Sequence, residues 1–328
     1  MREEVATEDA MMAETAATLA FILERDEVSS GGAAALAELL SRDAARIDAR
    51  LREYGAVLFR GFAVTSQEGF ESLMRSLEGR LLEYVDGNSP RTRLGGGVYT
   101  STEYPCEYFI CLHNELSYSQ TWPGRLFFCC VQSPASGGET PLVDSRRLLR
   151  ELPEELVGEF RSRNVRYIRN LHRGKGFGRS WQETYQTEDR AEAEKLARAG
   201  GLEVAWLPGD TLRVSAVRPA TAVHPVTGEE VWFNQADQFH PSTNPEAVYR
   251  SMVSAYRGRE ELLPQNATFG DGSAIPLEYL STIRMTTQRL LTTFKWEQGD
   301  LLMVDNMLAA HGRMPFTGER RILVAMTA

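Results

Sequence analysis

Leu36, Leu39, Leu40, Ile47 and Leu51 share one face at a 3.6-residue period, which predicts a helix running from Ala33 to a stop at Gly55. Ala56 to Arg60 then reads as a short strand closed by Gly61. Phe70, Leu73, Met74 and Leu77 mark a second amphipathic helix from Ser66 to Leu77. Residues 84–105 have no period and are rich in glycine and hydroxyl residues, as an active-site loop often is. Two apolar runs, Phe109 to Leu112 and Leu126 to Val131, read as buried strands, and Gly137-Gly138 marks a tight turn between the second run and Leu142. Asp144 is placed to cap a helix starting at Ser145. Further on, the pattern predicts strands at Val165 to Ile168 and Val231 to Gln235. It also predicts helices at Asp189 to Ala199 and Leu277 to Phe294, and closing strands at Leu301 to Val304 and Ile322 to Met326. Short strands beside a helical flank give a mainly β chain with flanking helices, an α+β sandwich or jelly roll rather than a βαβ sheet.

The chain has 328 residues, 42% hydrophobic and 25% charged, enough for one sizeable core. We read residues 31–328 as a single domain, with a polar insertion or lid around 159–215. The acidic, alanine-rich segment 1–30 is read as flexible. A net charge of -9 without a basic run argues against nucleic acid and anionic membranes as partners. Neither a signal-peptide pattern nor an apolar stretch long enough to span a bilayer is visible. Cys106, Cys111, Cys129 and Cys130 have neither disulfide-framework nor zinc-site spacing, and read as buried thiols in a reducing cytoplasm.

The candidate chemistry starts at His113-Asn114-Glu115. If the preceding strand runs through it, His113 and Glu115 leave the same face and can share a divalent metal. His311, in Asp305-Asn306-Met-Leu-Ala-Ala-His311-Gly-Arg313, would complete a two-histidine, one-carboxylate face, the ligand set of non-haem Fe(II) oxygenases. Arg321, ten residues after His311, and Thr140, after the Gly137-Gly138 turn, are suited to hold the far carboxylate of a dicarboxylate chelating that metal. Arg320 is the competing neighbour. On a strand the two arginines face opposite sides, and the expectation falls on Arg321.

His113-x-Glu115, Gly-Gly-Glu-Thr140, Gly299-Asp300, Asp305-Asn306, His311 and Arg321, in this order, resemble the TauD/TfdA-like Fe(II)- and 2-oxoglutarate-dependent dioxygenases. In motif wording the phrases Thr102-Glu-Tyr-Pro, His-Asn-Glu-Leu-Ser-Tyr and His-Gly-Arg-Met-Pro-Phe-Thr-Gly are most similar to syringomycin-type amino-acid hydroxylases. The resemblance spans Ala56 to the C-terminus. It implies a double-stranded β-helix (jelly roll, cupin-like) core and His113, Glu115 and His311 as iron ligands. It also implies Thr140 and Arg321 as 2-oxoglutarate contacts, and Fe(II), 2-oxoglutarate and O2 as the reaction's requirements. Many members carry Asp where this chain has Glu115; the clavaminate-synthase-like branch also uses Glu there, and halogenating members carry Ala or Gly. Ala325 stands where taurine dioxygenase itself has a sulfonate-binding arginine, which disfavours taurine.

The expected activity is hydroxylation of an unactivated C–H of an amino acid or amino-acid derivative, free or tethered to a carrier protein, in natural-product biosynthesis. Desaturation, epoxidation or cyclisation would use the same metal site. A cupin-like protein that binds a small molecule without turnover is the reading from a different class. Thr102, Asn234, Gln235 and Arg313 are the candidate substrate contacts, amides and a guanidinium being suited to an amino acid's polar ends. His172, His224 and His240 read mainly as surface or packed residues, with His240 a possible exception beside the Trp-Phe-Asn-Gln strand.

Overall fold

A seven-stranded sheet forms the floor of the molecule, in the order Ala20–Glu24, Ala56–Arg60, Leu301–Asp305, Arg125–Gln132, Arg321–Thr327, Val98–Thr100 and Arg93–Gly95. Only the first pair is parallel. The computed structural model describes residues 20–24, 31–77, 81–82, 92–101, 104–174 and 176–328. Both faces of this sheet are buried. Val57, Phe59, Phe127, Leu301, Leu323 and Ala325 pack against Leu36, Leu51 and Phe70 of the N-terminal helices. Leu58, Phe128, Cys130, Leu302, Ile322 and Val324 pack the other way, against Leu142 and Ala309 of a second sheet.

That second sheet has three strands, Ile110–His113, Ala309–Arg313 and Leu142–Asp144, with Ala309–Arg313 in the middle. Leu112, Val143 and Ala310 point away from the first sheet, into a core completed by Phe160, Phe269, Leu280 and Ile283. The result is a sheet-rich α+β fold, as the residue pattern predicts.

Four expectations about elements change. The helix expected across residues 33–55 is two, Gly32–Arg42 and Ala44–Tyr54, broken at Asp43, whose backbone leaves the helical region and whose carboxylate accepts from Arg42 Nε at 2.9 Å. The strand expected to reach Gln235 is only Glu230–Trp232, because Asn234 turns the chain by accepting from the Ala236 amide. The last long helix is Leu277–Leu290, ending where Leu291 becomes extended and Thr292 pairs with Leu142.

Part of segment 159–215, expected outside the core, lies within it. Val165–Leu171 and Thr211–Arg218 are the two inner strands of a four-stranded sheet with Glu203–Leu207 and Gln265–Phe269, and Val165 and Tyr167 belong to the central core. One face of this sheet is polar, with Arg213 donating to Asn170 and Arg166 to Ser215, a composition that resembles a surface excursion. Of the segment 1–30 read as flexible, Ala20–Glu24 forms the parallel edge strand, and residues 1–19 and 25–30 lie outside the described residues. Among the described residues no helix is long and apolar enough to cross a membrane.

One buried ion pair ties the sheet edge to the turn that precedes Leu301–Asp305. Asp300, fully buried, accepts from Arg60 Nη2 at 2.8 Å and Nε at 3.1 Å, and from the Glu297 amide at 2.8 Å. Asp300→Ala removes the buried partner of Arg60, which keeps the Glu297 carboxylate at 3.0 Å and the Lys295 carbonyl at 2.8 Å, and frees the Glu297 amide; it is expected to lower unfolding free energy by about 2 kcal/mol. A urea midpoint unchanged from wild type would contradict this.

Candidate active site

The second sheet places the two histidines. His311 sits directly opposite His113 in the antiparallel ladder, and their ring centroids are 4.6 Å apart. Residues facing each other on one side of such a pair are a few ångströms apart by construction, so register alone brings together side chains 198 positions apart in sequence. Phe128 of the larger sheet closes the back of the cluster, 5.1 Å from the His311 ring.

Glu115 reaches the cluster by a different route from the one expected. The strand ends at His113, and Glu115 lies in the turn that follows, with Leu116 at a positive φ of 57°. Its carboxylate still comes to 4.0 Å from His311 Nε2. The donor atoms of His113, Glu115 and His311 all lie within 4.8 Å of one another, and all three residues are buried.

Because a turn has no ladder to hold it, three amides do so. Asn306 Oδ1 accepts from the Glu115 amide at 2.6 Å, while its Nδ2 donates to the carbonyls of Glu115 and Pro123 at 2.9 and 2.8 Å. Asn114 Nδ2 donates to the Asn306 carbonyl at 2.7 Å. Gln235 Nε2 donates to the Asn114 carbonyl at 2.7 Å and to Ser117 Oγ at 3.1 Å. Asp305 caps the turn leading to the His311 strand by accepting from the Met307 and Leu308 amides, and its other oxygen accepts from His224 Nε2.

The cluster fits a divalent metal by its own chemistry. His113 Nδ1 lies 2.8 Å from the Cys111 carbonyl, which fixes it as the protonated nitrogen and leaves Nε2 as a donor toward the cluster. Two imidazoles and one carboxylate, buried and grouped on one side, match a site that keeps open positions for other ligands.

Beside the cluster is a pocket lined by Ser101, His113, Phe128, Thr140, His311, Arg313 and Arg320. Here the expected arginine is corrected. Arg321 is exposed and donates to Gln67 Oε1 of the outer helix at 2.9 Å. Arg320 is the one in the pocket, donating through Nε to the Gly138 carbonyl at 2.9 Å and through Nη1 to Ser101 Oγ at 3.3 Å. Burial, and then the neighbouring charge of Arg313, push its pKa down to about 10, so it remains a cation near neutrality. Alternation explains the choice: Ile322 and Val324 face the pocket side and Leu323 and Ala325 the helix side, so Arg320 falls in and Arg321 out. Thr140 is where it was expected, buried in the pocket wall, accepting from Trp296 Nε1 at 3.2 Å. The Gly137-Gly138 turn has positive φ at both residues, and a side chain at Gly138 would press on Arg320 and Phe316.

The candidate substrate contacts fare differently. Thr102 lies outside the described residues. Asn234 is committed to the Ala220 carbonyl and the Ala236 amide, and Gln235 to the metal turn, so both amides are spent inside the fold. Arg313 does line the pocket. His240 stays a packed residue: its Nδ1 accepts from the Ser242 amide, and burial holds its pKa down at about 4. His172 and His224 likewise close local turns through Nδ1. Cys129 and Cys130 are buried, as read, but Cys106 is exposed and Cys111 half-buried, because strand Ile110–His113 begins at the rim.

In the sequence Asn306 stands out only as part of a motif, and Gln235 only as a candidate substrate contact. The signal available for both was their place beside a turn-forming Asn-Glu, which matters only once the turn is known. Asn306→Asp would set a carboxylate against two carbonyls that the amide now satisfies. We expect metal affinity to fall about 10–100-fold, with Mn(II) titration as the readout; affinity within about twofold of wild type would refute the positioning role.

The family model described as "Taurine catabolism dioxygenase TauD, TfdA family" matches residues 27–327. The chain is 41% identical over 280 residues, 85% of its length and 84% of the relative's, to dapdiamide synthesis protein DdaC of Enterobacter agglomerans. It is 32% identical over 291 residues, covering 85% and 83%, to a clavaminate synthase-like protein of Arabidopsis thaliana. Among solved structures, PvcB of Pseudomonas aeruginosa superposes with a TM-score of 0.54 at 16% identity, over 94% of this chain and 85% of that one, a likeness of fold.

Proposed function

From the premise that the chain belongs to the TauD, TfdA family of dioxygenases, we propose that it is an Fe(II)- and 2-oxoglutarate-dependent oxygenase that hydroxylates an amino acid or amino-acid derivative, free or carrier-bound. The observation that carries this reading is a cluster of two histidines and a carboxylate adjoining a pocket with a half-buried arginine and a buried threonine. The similar DdaC bears the name of a dapdiamide synthesis protein, and a PvcB structure with a TM-score of 0.52 is titled an Fe, alpha-ketoglutarate dependent oxygenase from an isonitrile synthetic pathway. Both names favour a role in natural-product biosynthesis. The two sheets packed face to face are read as the jelly-roll core, and the four unpaired cysteines fit a reducing cytoplasm.

His113, Glu115 and His311 would hold the iron, and the adjoining pocket would take the cosubstrate. When bound, iron(II) would let dioxygen act as the oxidant, one oxygen atom going to 2-oxoglutarate, which leaves as succinate and CO2, and the other to the substrate C–H. The chain's own residues do the rest. Arg320 and Thr140 take the far carboxylate, the guanidinium as a charged donor and the hydroxyl as a neutral one. Phe128 and Ile110 give the pocket an apolar wall, which favours the exclusion of water. The amide net of Asn114, Asn306 and Gln235 keeps the carboxylate ligand aimed without itself touching the metal.

Anaerobic and aerobic incubations with Fe(II) and 2-oxoglutarate, screened across amino acids, test this. Succinate formation that needs iron and oxygen and rises with a particular substrate is expected. Tight binding of 2-oxoglutarate without any succinate would favour the non-catalytic alternative.

A further inference from the structure

Arg313 has a use that the reading above leaves open. It is 5% exposed and lines the pocket beside Arg320, with both guanidiniums over the Phe316 ring at 5.1 and 5.6 Å. Its Nη1 donates to the Tyr104 carbonyl at 2.8 Å, and its Nη2 to the carbonyls of Pro105 and Tyr108 at 2.6 and 3.0 Å. The Cys106 carbonyl is taken by the Phe316 amide at 2.9 Å. So the rim segment 104–108 hangs on one side chain and one amide of the strand and turn that follow His311. Arg313 Nε, buried, has no hydrogen-bond partner among the described residues.

A buried charged N–H without an acceptor is costly, and two guanidiniums side by side repel. Both penalties are relieved together by one anion in the pocket. We infer that Arg313 is a positioning residue that joins the cosubstrate to the rim, its Nε–H donating to the far carboxylate of the dicarboxylate while its other N–H groups hold segment 104–108. Occupancy of the pocket then orders the rim around Tyr104 and Tyr108, which are 48% and 52% exposed and whose rings stand 5.6 Å apart. The inference rests on the reading of this pocket as the 2-oxoglutarate site.

The rim carries its own reporter, because Cys106 is exposed there while Cys129 and Cys130 are buried. Iodoacetamide labelling of the full chain, read at the Cys106 peptide by mass spectrometry, is compared with Mn(II) alone, Mn(II) with 2-oxoglutarate, and Mn(II) with pyruvate. Pyruvate has the chelating end but lacks the far carboxylate. Calorimetry gives the affinity of each protein, so that every comparison is made at saturation. In wild type, 2-oxoglutarate should slow Cys106 labelling several-fold and pyruvate should not. In Arg313→Gln, 2-oxoglutarate should bind roughly tenfold more weakly and, even at saturation, should no longer slow labelling. Arg313→Lys, which keeps the charge but not the fork, should protect only in part.

If wild type binds 2-oxoglutarate and labelling is unchanged, the inference falls while the pocket assignment stands. Full protection in saturated Arg313→Gln also overturns it. If wild type does not bind 2-oxoglutarate at all, the pocket assignment fails and takes the inference with it. The wild-type comparison between 2-oxoglutarate and pyruvate decides the matter even if neither variant folds.

Discussion

His113→Ala, Glu115→Ala and His311→Ala should each lower Fe(II)-dependent succinate formation at limiting iron by at least about a hundredfold, since losing a ligand must exceed the 10–100-fold effect of losing a ligand's outer partner. The three donors lie within 4.8 Å of one another, so removing any one leaves two, an insufficient set to hold the ion and its open face together. The fold should survive. The His311 strand is paired on both sides through its backbone, and the Glu115 turn is held through main-chain groups by Asn306. Metal-free thermal unfolding should therefore stay near that of wild type. Glu115→Asp keeps the carboxylate on a shorter arm and should retain part of the activity. Near-normal turnover at limiting iron in any of the three alanine variants would refute the ligand assignment.

Arg320→Ala should raise the 2-oxoglutarate concentration for half-maximal turnover at least about tenfold, while Arg321→Ala should leave it within about twofold. A hydrogen bond to a charged group contributes roughly 1.5–3 kcal/mol, and 1.4 kcal/mol is a factor of ten. Arg320 is inside the pocket with Thr140, whereas Arg321 is exposed and bonded to Gln67. Arg320→Ala also frees the Gly138 carbonyl and Ser101, so the turn could loosen. Arg320→Lys separates the effects: it restores the cation without the fork and should recover part of the affinity. The opposite ranking of the two alanine variants would show that the strand's inward face has been misassigned.

The choice between these arginines shows where sequence reasoning ran out. A strand with one wet face declares its inward side by alternation. In the strand Arg321–Thr327, every residue from Ile322 to Thr327 is buried, because helices cover one face of the sheet and the second sheet covers the other. Parity along the strand then carries no label that the sequence alone can read. The same limit applies to 159–215, whose polar composition points outside the core although Val165 and Tyr167 lie within it. Gln235 shows the converse: an amide suited to a substrate is equally suited to a turn, and only its neighbours Asn114 and Ser117 decide.

By itself the sequence determined the helices whose apolar stripe repeats at 3.6 residues, the buried strands, the three metal-ligand candidates and Thr140. Each is a local pattern or a rare side chain next to a recognisable turn. Only the tertiary structure decided that Glu115 reaches the cluster from a turn rather than a strand. It also decided that Asn306, 191 residues away, holds that turn, that Arg320 faces in, and that Arg313 spends three bonds on the rim. These depend on register and on which face of a doubly covered strand looks inward. Both are set by packing between segments far apart in the chain, which no local pattern encodes.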